Sequence, residues 1–408
     1  MQRLQAYKYE LRTNGEQQRD MRRFAGSCRF VFNKALAMQK ALYEQGEKKV
    51  GYAGLCKALT AWRNSEDTAW LADAPVHPLQ QSLKDLEQAF THFFAKRADV
   101  PRFRKKGMGD SVRDPDAKPF KLDPVNRRIV LPKLGWLRHH NRRDSLGTAK
   151  NVTVSSKGGK WFVSIQTERE IEQALPTSTT APGIDVGMAH FATLSDGRSI
   201  APLNRFKTHQ PRLAKDQRRM SRKVKFSRNW VKANARVQKI HRDIANARKD
   251  DRHKTSTTIS QNHALVCIED LPVRTMSKSS KGSSEQYGQR VKPKSGLNRS
   301  ILDQGWGEFR RQLAYKVSWN GGLLLAVPPH HTSPTGPRRG HIAKENRQTQ
   351  AEFVCVDCGY ENNADVVGAM NVLAREYRVL AGGESVPSDH SAKQEPTDAT
   401  PADFACAP

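Results

Sequence analysis

Gly183-Ile184-Asp185-Val186-Gly187 sets an acid inside a short apolar stretch, and Phe191-Ala192-Thr193-Leu194 follows it, ahead of the turn Ser195-Asp196-Gly197. The pattern reads as a β-hairpin whose first strand carries a carboxylate at its centre. Burying a carboxylate among apolar residues is unfavourable unless it meets a cation. The arrangement recurs downstream. His263-Ala264-Leu265-Val266-Cys267-Ile268-Glu269-Asp270-Leu271 is a buried strand ending in a carboxylate, and Leu323-Leu324-Leu325-Ala326-Val327 is a third apolar strand. The run from Asn363 to Leu373 reads as a helix with Asp365 in its first turn. Taken singly, each acid reads equally well as a helix cap, a turn residue or half of an ion pair. Taken together, Asp185, Glu269 and Asp365 offer the hard oxygen ligands that a pair of Mg²⁺ ions requires for phosphodiester cleavage. Asp270 competes with Glu269; Glu269 is preferred because it directly follows the apolar run. Asp303, in Ile301-Leu302-Asp303-Gln304, reads as a helix N-cap.

The rest of the composition points to what would be cleaved. The chain has 408 residues, with Lys+Arg 69 against Asp+Glu 41 and a formal net charge of +28. An excess of this size calls first for a polyanion, and nucleic acid is the commonest. From Arg205 to Lys254 there are 18 basic and 4 acidic residues, and from Lys96 to Arg143 there are 15 and 5. A short charge run is usually a solvated helix face; two long runs of one sign repel themselves without an anionic partner. The first run also carries apolar residues at near-helical spacing, so it predicts a basic helical arm over 205–254, broken around Phe226-Ser227-Arg228-Asn229. Arg102, Arg104, Lys105 and Lys106 in the earlier run, and Arg218, Arg219, Arg222 and Lys223 in the arm, are the candidate nucleic-acid contacts. Aromatic residues make up only 7% of the chain, which suits gripping a phosphate backbone better than stacking on bases. No run approaches the ~20 apolar residues of a membrane span. The N-terminus lacks a signal-peptide core and six cysteines are too scattered for a disulfide framework, so a protein of the reducing cytoplasm is expected.

Upstream of the acids, Tyr7, Tyr9 and Leu11 alternate as in a strand. Met21, Phe24, Cys28, Val31, Ala35 and Leu42 then recur at helical steps. Leu79, Leu83, Leu86, Phe90, Phe93 and Phe94 form a second helical stripe behind Pro75 and Pro78. Between about 110 and 170 the pattern turns β-like, with a Gly158-Gly159 hairpin turn between Val152/Val154 and Trp161/Val163/Ile165. Thr177–Pro182 reads as a polar linker, and the Ser-, Pro- and acid-rich stretch 376–408 as a disordered tail.

Read in order, these segments resemble the TnpB-type (OrfB-type) proteins of bacterial transposons, compact RNA-guided nucleases related to type V CRISPR effectors. The resemblance rests on Arg29-Phe30-Val31-Phe32-Asn33, Leu79-Gln80-Gln81-Ser82-Leu83, Pro101-Arg102-Phe103-Arg104-Lys105-Lys106 and Leu131-Pro132-Lys133-Leu134-Gly135. It continues through Gly183–Gly187, Ile268-Glu269-Asp270-Leu271, Gly305-Trp306-Gly307-Glu308-Phe309 and Asn363–Asn371. It implies an α/β multidomain chain. Residues 1–15 and 109–180 would form a β-barrel-like unit, and 16–108 a helical recognition domain. An RNase H-like (RuvC-like) nuclease domain would span 181–330 and be completed by a catalytic helix at 363–375. It further implies Asp185, Glu269 and Asp365 as a catalytic, metal-binding triad for two Mg²⁺ ions, a guide RNA from the transposon end, and a target double-stranded DNA bearing a short flanking motif.

The chain departs from the family pattern at 331–362, where relatives carry a four-cysteine zinc ribbon. Cys355-Val356-Asp357-Cys358 supplies one thiolate pair, but Gly336 and Arg339 stand where the other belongs. Two thiolates do not close a tetrahedral site; His330, His331 or His341 are the alternative donors. Two readings therefore stay open: an active RNA-guided endonuclease, or an RNA-guided DNA-binding protein whose cleavage is impaired. A strict transposase lacks support, since no His-hydrophobic-His pair precedes a helical Tyr. A plain DNA-binding factor lacks a recognition-helix pattern. The pairs His139-His140 and His330-His331 are expected on nucleic-acid-facing or loop surfaces.

Overall fold

In the first half, the alternation of Tyr7, Tyr9 and Leu11 buries all three on one face of strand β1 (Gln2–Arg12). A computed structural model of the chain describes residues 2–382 apart from 119, 141–142, 173, 177, 179, 283–285 and 331, with backbone alone at 376–382. It separates into one unit ending at Ile171 and a second beginning at Glu172.

Helix α1 (Gly15–Glu44) starts at a capping box: the Asn14 side chain accepts from the Gln17 N–H at 2.8 Å, while the Gln17 side chain accepts from the Asn14 N–H at 3.3 Å. Its length lets it serve two cores. Met21 and Ala25 join the sheet core, while Phe24, Val31, Ala35 and Leu36 pack with Leu79, Leu83 and Leu86. Those leucines lie on α3 (Val76–Phe94), whose apolar stripe fades at its end, where Phe94 is exposed. Between them lies α2 (Tyr52–Asn64), which the sequence reading passed over; only Leu55 and Leu59 are buried on it. Six further strands follow: β2 (Ser111–Asp114), β3 (Lys121–Asp123), β4 (Arg128–Leu131), β5 (Gly135–His140), β6 (Thr148–Lys157) and β7 (Lys160–Glu170). With β1 they form one antiparallel sheet in the order β2-β6-β7-β1-β5-β4-β3. The first strand thus joins strands from beyond the helices, and Gly158 and Gly159 both turn at positive φ between β6 and β7. Among the described residues β2 and β3 stand at the two ends of this order, so the β-barrel-like unit is a curled half-barrel sheet that strand pairing does not close.

The second unit holds the strands that carry the acids. These are β8 (Gly183–Asp185), β9 (Ala192–Leu194) and β10 (Ser199–Ile200), then helices α4 (Arg205–Ser221) and α5 (Arg228–Asn262). They are followed by β11 (Leu265–Glu269), a short turn of helix α6 (Val273–Met276), α7 (Val291–Gln304), α8 (Trp306–Trp319) and β12 (Leu323–Val327). Last come β13 (Glu352–Val354), β14 (Glu361–Asn363) and α9 (Ala364–Gly382). The main sheet runs β10-β9-β8-β11-β12. The pairs β10–β9 and β9–β8 are antiparallel, whereas β8, β11 and β12 are parallel. Parallel neighbours need long crossovers. The α4–α5 arm leads into β11, and α7 and α8 lead into β12. Phe309, Leu313 and Val317 of α8 pack with Ile184, Val266 and Ile268 of the sheet.

Several boundaries differ from the sequence reading. The break falls at 171/172, ahead of the expected linker, because the following segment already docks on the second unit. Gly321 lies so close to the Ala174 carbonyl that a Cβ there would sit 1.8 Å from it, and Thr180 Oγ1 donates to the Asn262 carbonyl at 3.1 Å. Helix α9 runs to Gly382, beyond the expected 375; the remainder of the predicted tail, 383–408, lies outside the described residues. Asp185 ends its strand rather than centring it. His139 and His140 lie in β5: His139 is buried against the Tyr9 ring, with centroids 4.9 Å apart, and His140 accepts from Arg12 at 2.9 Å. His331 lies outside the described residues.

Candidate active site

Parallel pairing brings the first two acids together. Cys267 and Ile268 of β11 register with Gly183 and Ile184 of β8, so the next residues along, Glu269 and Asp185, end neighbouring strands. Adjacent strands lie about 4.8 Å apart. The third acid arrives by close packing of a helix on this sheet. A Cβ on Gly183 would fall 2.0 Å from the Ala369 carbonyl, so glycine at that position lets α9 lie directly against β8. A Cβ on Gly368 would fall 3.2 Å from Asp185 Oδ2, so glycine there leaves room beside the carboxylate. Asp365 sits one turn earlier, where Asn363 Oδ1 accepts from the Asp365 and Val366 N–H groups at 2.9 and 3.4 Å and caps α9.

Asp185 feels the charge of both other acids. Burial, then the charges of Glu269 and Asp365, push the Asp185 carboxyl up to about 7, against the opposing charge of Arg347. Burial also raises Glu269, against a hydrogen bond from Thr332 and the charge of Arg375. Each of the other two acids is turned toward its own partner. Thr332 Oγ1 donates to Glu269 Oε1 at 2.6 Å. Asp365 lies 3.6 Å from Arg347 and 3.5 Å from His190 Nδ1. Among the described residues, no three His, Cys, Asp or Glu side chains stand close enough to hold a single ion. The donor set, three carboxylates at one end of a sheet, is nonetheless the hard-oxygen chemistry that Mg²⁺ takes.

Four contributors were not foreseen: Thr332, Arg347, His190 and Asn371. Asn371 Nδ2 donates to the Thr332 and Thr335 carbonyls at 2.8 and 2.7 Å, tying the chain after β12 to α9. Nothing in the sequence around Arg347 or His190 marks them, because each reaches Asp365 from a loop. Asn371 alone had a signal, in the helical run from Asn363. Asp270, the rival of Glu269, is exposed and paired with Arg310, whereas Glu269 is buried. Asp303 does not start its own helix; it lies in the last turn of α7, pairs with Arg248 and accepts from the Phe206 N–H at 3.2 Å, in the first turn of α4.

The basic candidates divide by environment. Arg218, Arg219, Arg222 and Lys223 are exposed at the bend between α4 and α5, whose own small core is Leu213, Val237, Ile240 and Ile244. The break comes where the sequence placed it, with Phe226 at φ 69° and Ser227 capping α5. In the first unit Arg102, Lys105 and Lys106 are exposed. Arg104 is committed to structure: it pairs with Asp85 at 3.1 Å and stacks 3.9 Å from the Phe32 ring centre. In the stretch after β12, Cys355 is buried and Cys358 half-buried. A Cβ on Gly336 would meet Cys355 Sγ at 3.0 Å, so the residue facing the first thiol has no donor atom. The exposed Arg339 lies 3.6 Å from Asp357.

Comparison with known proteins matches three family models along the chain. "Probable transposase" matches residues 152–280, "Cas12f1-like, TNB domain" 306–372 and "Helix-turn-helix domain" 1–48. The protein named "Putative RNA-guided DNA endonuclease InsQ" from Escherichia coli (strain K12) is 54% identical over 398 residues, 98% of each chain. The chain belongs to the OrfB/TnpB family. Another member, "Putative RNA-guided DNA endonuclease" of Streptomyces pristinaespiralis, is 34% identical over 97% of each chain. The fold is also similar to that in the cryo-EM structure of the Cas12f1-sgRNA-target DNA complex, with TM-score 0.54 at 11% identity, covering 91% of this chain and 98% of that one. Among the described residues of 1–48 the regular elements are β1 and one unbroken helix, α1, rather than a helix-turn-helix. Among the described residues, no helix is long and apolar enough to cross a membrane.

Proposed function

We propose that this chain is an RNA-guided, Mg²⁺-dependent DNA endonuclease whose second unit is an RNase H-like, RuvC-like nuclease domain. The observation that carries the reading is the meeting of Asp185 and Glu269 at neighbouring parallel strand ends, with Asp365 on the helix packed against them. Asp185, Glu269 and Asp365 would hold two Mg²⁺ ions. When bound, such a pair supplies an activated water and stabilises the oxygen that leaves the cleaved phosphodiester. The chain's own residues prepare the place. Thr332 orients Glu269, Arg347 balances the charge of Asp365, His190 lies beside the same carboxylate, and Gly368 keeps the space beside Asp185 open.

Sequence reading is assigned to base pairing between a transposon-derived guide RNA and the target DNA, next to a short flanking motif. The protein's part is to grip phosphates, which the exposed Arg218, Arg219, Arg222 and Lys223 suit. The names of the 54% and 34% identical relatives support the same activity. The test is cleavage of a double-stranded target programmed by the RNA that copurifies with the chain. Cutting should require Mg²⁺ and vanish in Asp185→Ala, Glu269→Ala and Asp365→Ala. Cutting that survives Asp185→Ala, or proceeds without a divalent ion, refutes the assignment.

A second reading, guided DNA binding with impaired cleavage, is favoured by one observation: Gly336 faces the Cys355 thiol and Arg339 pairs with Asp357, so no second thiolate pair completes the site. It predicts target capture with the RNA and no strand breaks at any Mg²⁺ concentration.

A further inference from the structure

The stretch between β12 and α9 repeats one small turn. In the first copy the Gly336 N–H donates to the His341 carbonyl at 2.7 Å, and the Gly340 N–H returns to the Gly336 carbonyl at 2.9 Å. In the second, the Cys355 N–H donates to the Tyr360 carbonyl at 2.9 Å, and the Gly359 N–H returns to the Cys355 carbonyl at 2.8 Å. The glycine closing each turn has matching positive φ, 71° at Gly340 and 65° at Gly359. Gly336 therefore corresponds to Cys355, and Arg339 to Cys358. The turns face each other, since a Cβ on Gly336 would touch Cys355 Sγ. Such a pair of knuckles can hold a tetrahedral ion when both carry two thiolates. Here one carries a hydrogen atom and a guanidinium.

Other groups bridge the two turns instead. Asn346 is fully buried, and its side-chain amide spans both: Nδ2 donates to the Pro334 and His341 carbonyls at 2.8 and 3.2 Å, while Oδ1 accepts from the Val356 N–H at 2.9 Å. Arg338 of the first turn lies over the Tyr360 ring of the second, 4.8 Å from its centre. Arg339 reaches Asp357 between the two cysteines. Three hydrogen bonds converge on this one buried amide, two donated to carbonyls and one accepted from the Val356 N–H, and together they form a cross-link of the kind a satisfied polar network supplies.

We propose that the two-knuckle module of residues 332–363 is held without zinc, with Asn346 as the central cross-link and the Arg338–Tyr360 and Arg339–Asp357 contacts closing its rim. The consequence is a division of metal dependence within one chain. The carboxylates need a divalent ion, whereas the module that presents Arg347 to Asp365 and Thr332 to Glu269 does not. This inference stands whether or not the carboxylates cut DNA.

The test uses the full-length chain, expressed in zinc-supplemented medium and purified under reducing conditions. Wild-type protein should contain well under one zinc per chain by elemental analysis. A zinc chelator should leave amide exchange at Cys355 and Gly359 unchanged. Gly336→Cys combined with Arg339→Cys should gain about one zinc per chain, because the knuckle geometry is already present. Asn346→Ala should speed exchange at Cys355, Val356 and Gly359 by about tenfold or more and raise the reactivity of the Cys355 thiol. If Asn346→Ala does not fold, Asn346→Asp, which keeps the acceptor for Val356 but loses both donated bonds, should show the same change more weakly. Stoichiometric zinc in wild type that is lost in Cys355→Ser overturns the proposal. So does a double-cysteine variant that takes up no zinc, or exchange that is indifferent to both Asn346 variants.

Discussion

Replacing Asp185 by Asn is expected to stabilise the metal-free chain while ending cleavage. Burial, followed by the charges of Glu269 and Asp365, moves this carboxyl from an ordinary 3.8 up to about 7. In the unfolded chain it ionises near the ordinary value. Between about pH 4 and 7 the folded chain therefore keeps a proton that the unfolded chain has released, so this group makes stability fall as pH rises through that window. Below the window both states are protonated and the group has no effect; above it the loss is complete. At about 1.4 kcal/mol per pH unit, the span from 3.8 to about 7 bounds the loss at ~4 kcal/mol. Side-chain relaxation and water entry lower this, and a gain of roughly 2 kcal/mol for Asp185→Asn near pH 8 is expected. Asn has nearly the same shape without the charge, so packing is preserved. The assay is urea unfolding of wild type and variant in a chelating buffer near pH 8 and again near pH 5. The gain should shrink at the lower pH, and adding Mg²⁺ near pH 8 should stabilise wild type more than the variant. A variant less stable than wild type near pH 8, or a gain that does not change with pH, would refute the reasoning.

Other substitutions separate fold from function. Gly368→Ala should keep or slightly raise stability, since alanine is favoured over glycine in a helix by about 1 kcal/mol. Its Cβ crowds Asp185 Oδ2, so cleavage should fall by at least about tenfold; unchanged cleavage would show that this space is not used. Replacing Arg218, Arg219, Arg222 and Lys223 together by Ala should weaken nucleic-acid binding and flatten its salt dependence, by up to about 0.9 in log–log slope for each phosphate no longer neutralised. An unchanged slope would remove the arm from the interface. Arg104→Ala should lower stability by about 1–2 kcal/mol, because its ion pair with Asp85 and its stacking on Phe32 both disappear, as read by thermal unfolding. Lys105→Ala and Lys106→Ala should leave the melting temperature within experimental error and weaken RNA binding instead.

The parts of this fold that could be read from sequence are those with strong periodicity. The alternation in β1, the stripe of α3 and the apolar runs of β8, β11 and β12 each repeat at the spacing of the element they form. The bend at Phe226 was legible because two charged helical runs met at a short stretch without apolar spacing. α2 was missed because only two of its positions are buried, leaving little stripe to see. Of the candidate site, the three acids stood out because carboxylates beside apolar runs are conspicuous. Their partners did not. Arg347 and His190 lie in loops, where no period constrains the sequence, and they reach Asp365 only through the folded path of the chain. Asp303 was recognised as a capping acid, but the helix it serves is α4, almost a hundred positions upstream, which local spacing cannot reveal. The absent thiolate pair was visible in the sequence. The amide that spans both knuckles was not, since a single Asn in a polar loop is ordinary until its burial is known.

The close approach of α9 to β8 at Gly183 has a consequence for synthesis. The ribosome makes the chain from the N-terminus, and domains fold as they emerge. The seven-stranded sheet, the helical unit and the α4–α5 arm are complete before Asp365 has been translated. A nascent chain can therefore display its basic surfaces while it holds only two of the three acids. The last described helix both packs against Gly183 and carries the third acid, so the order of the sequence puts the basic surfaces ahead of the completed acid cluster.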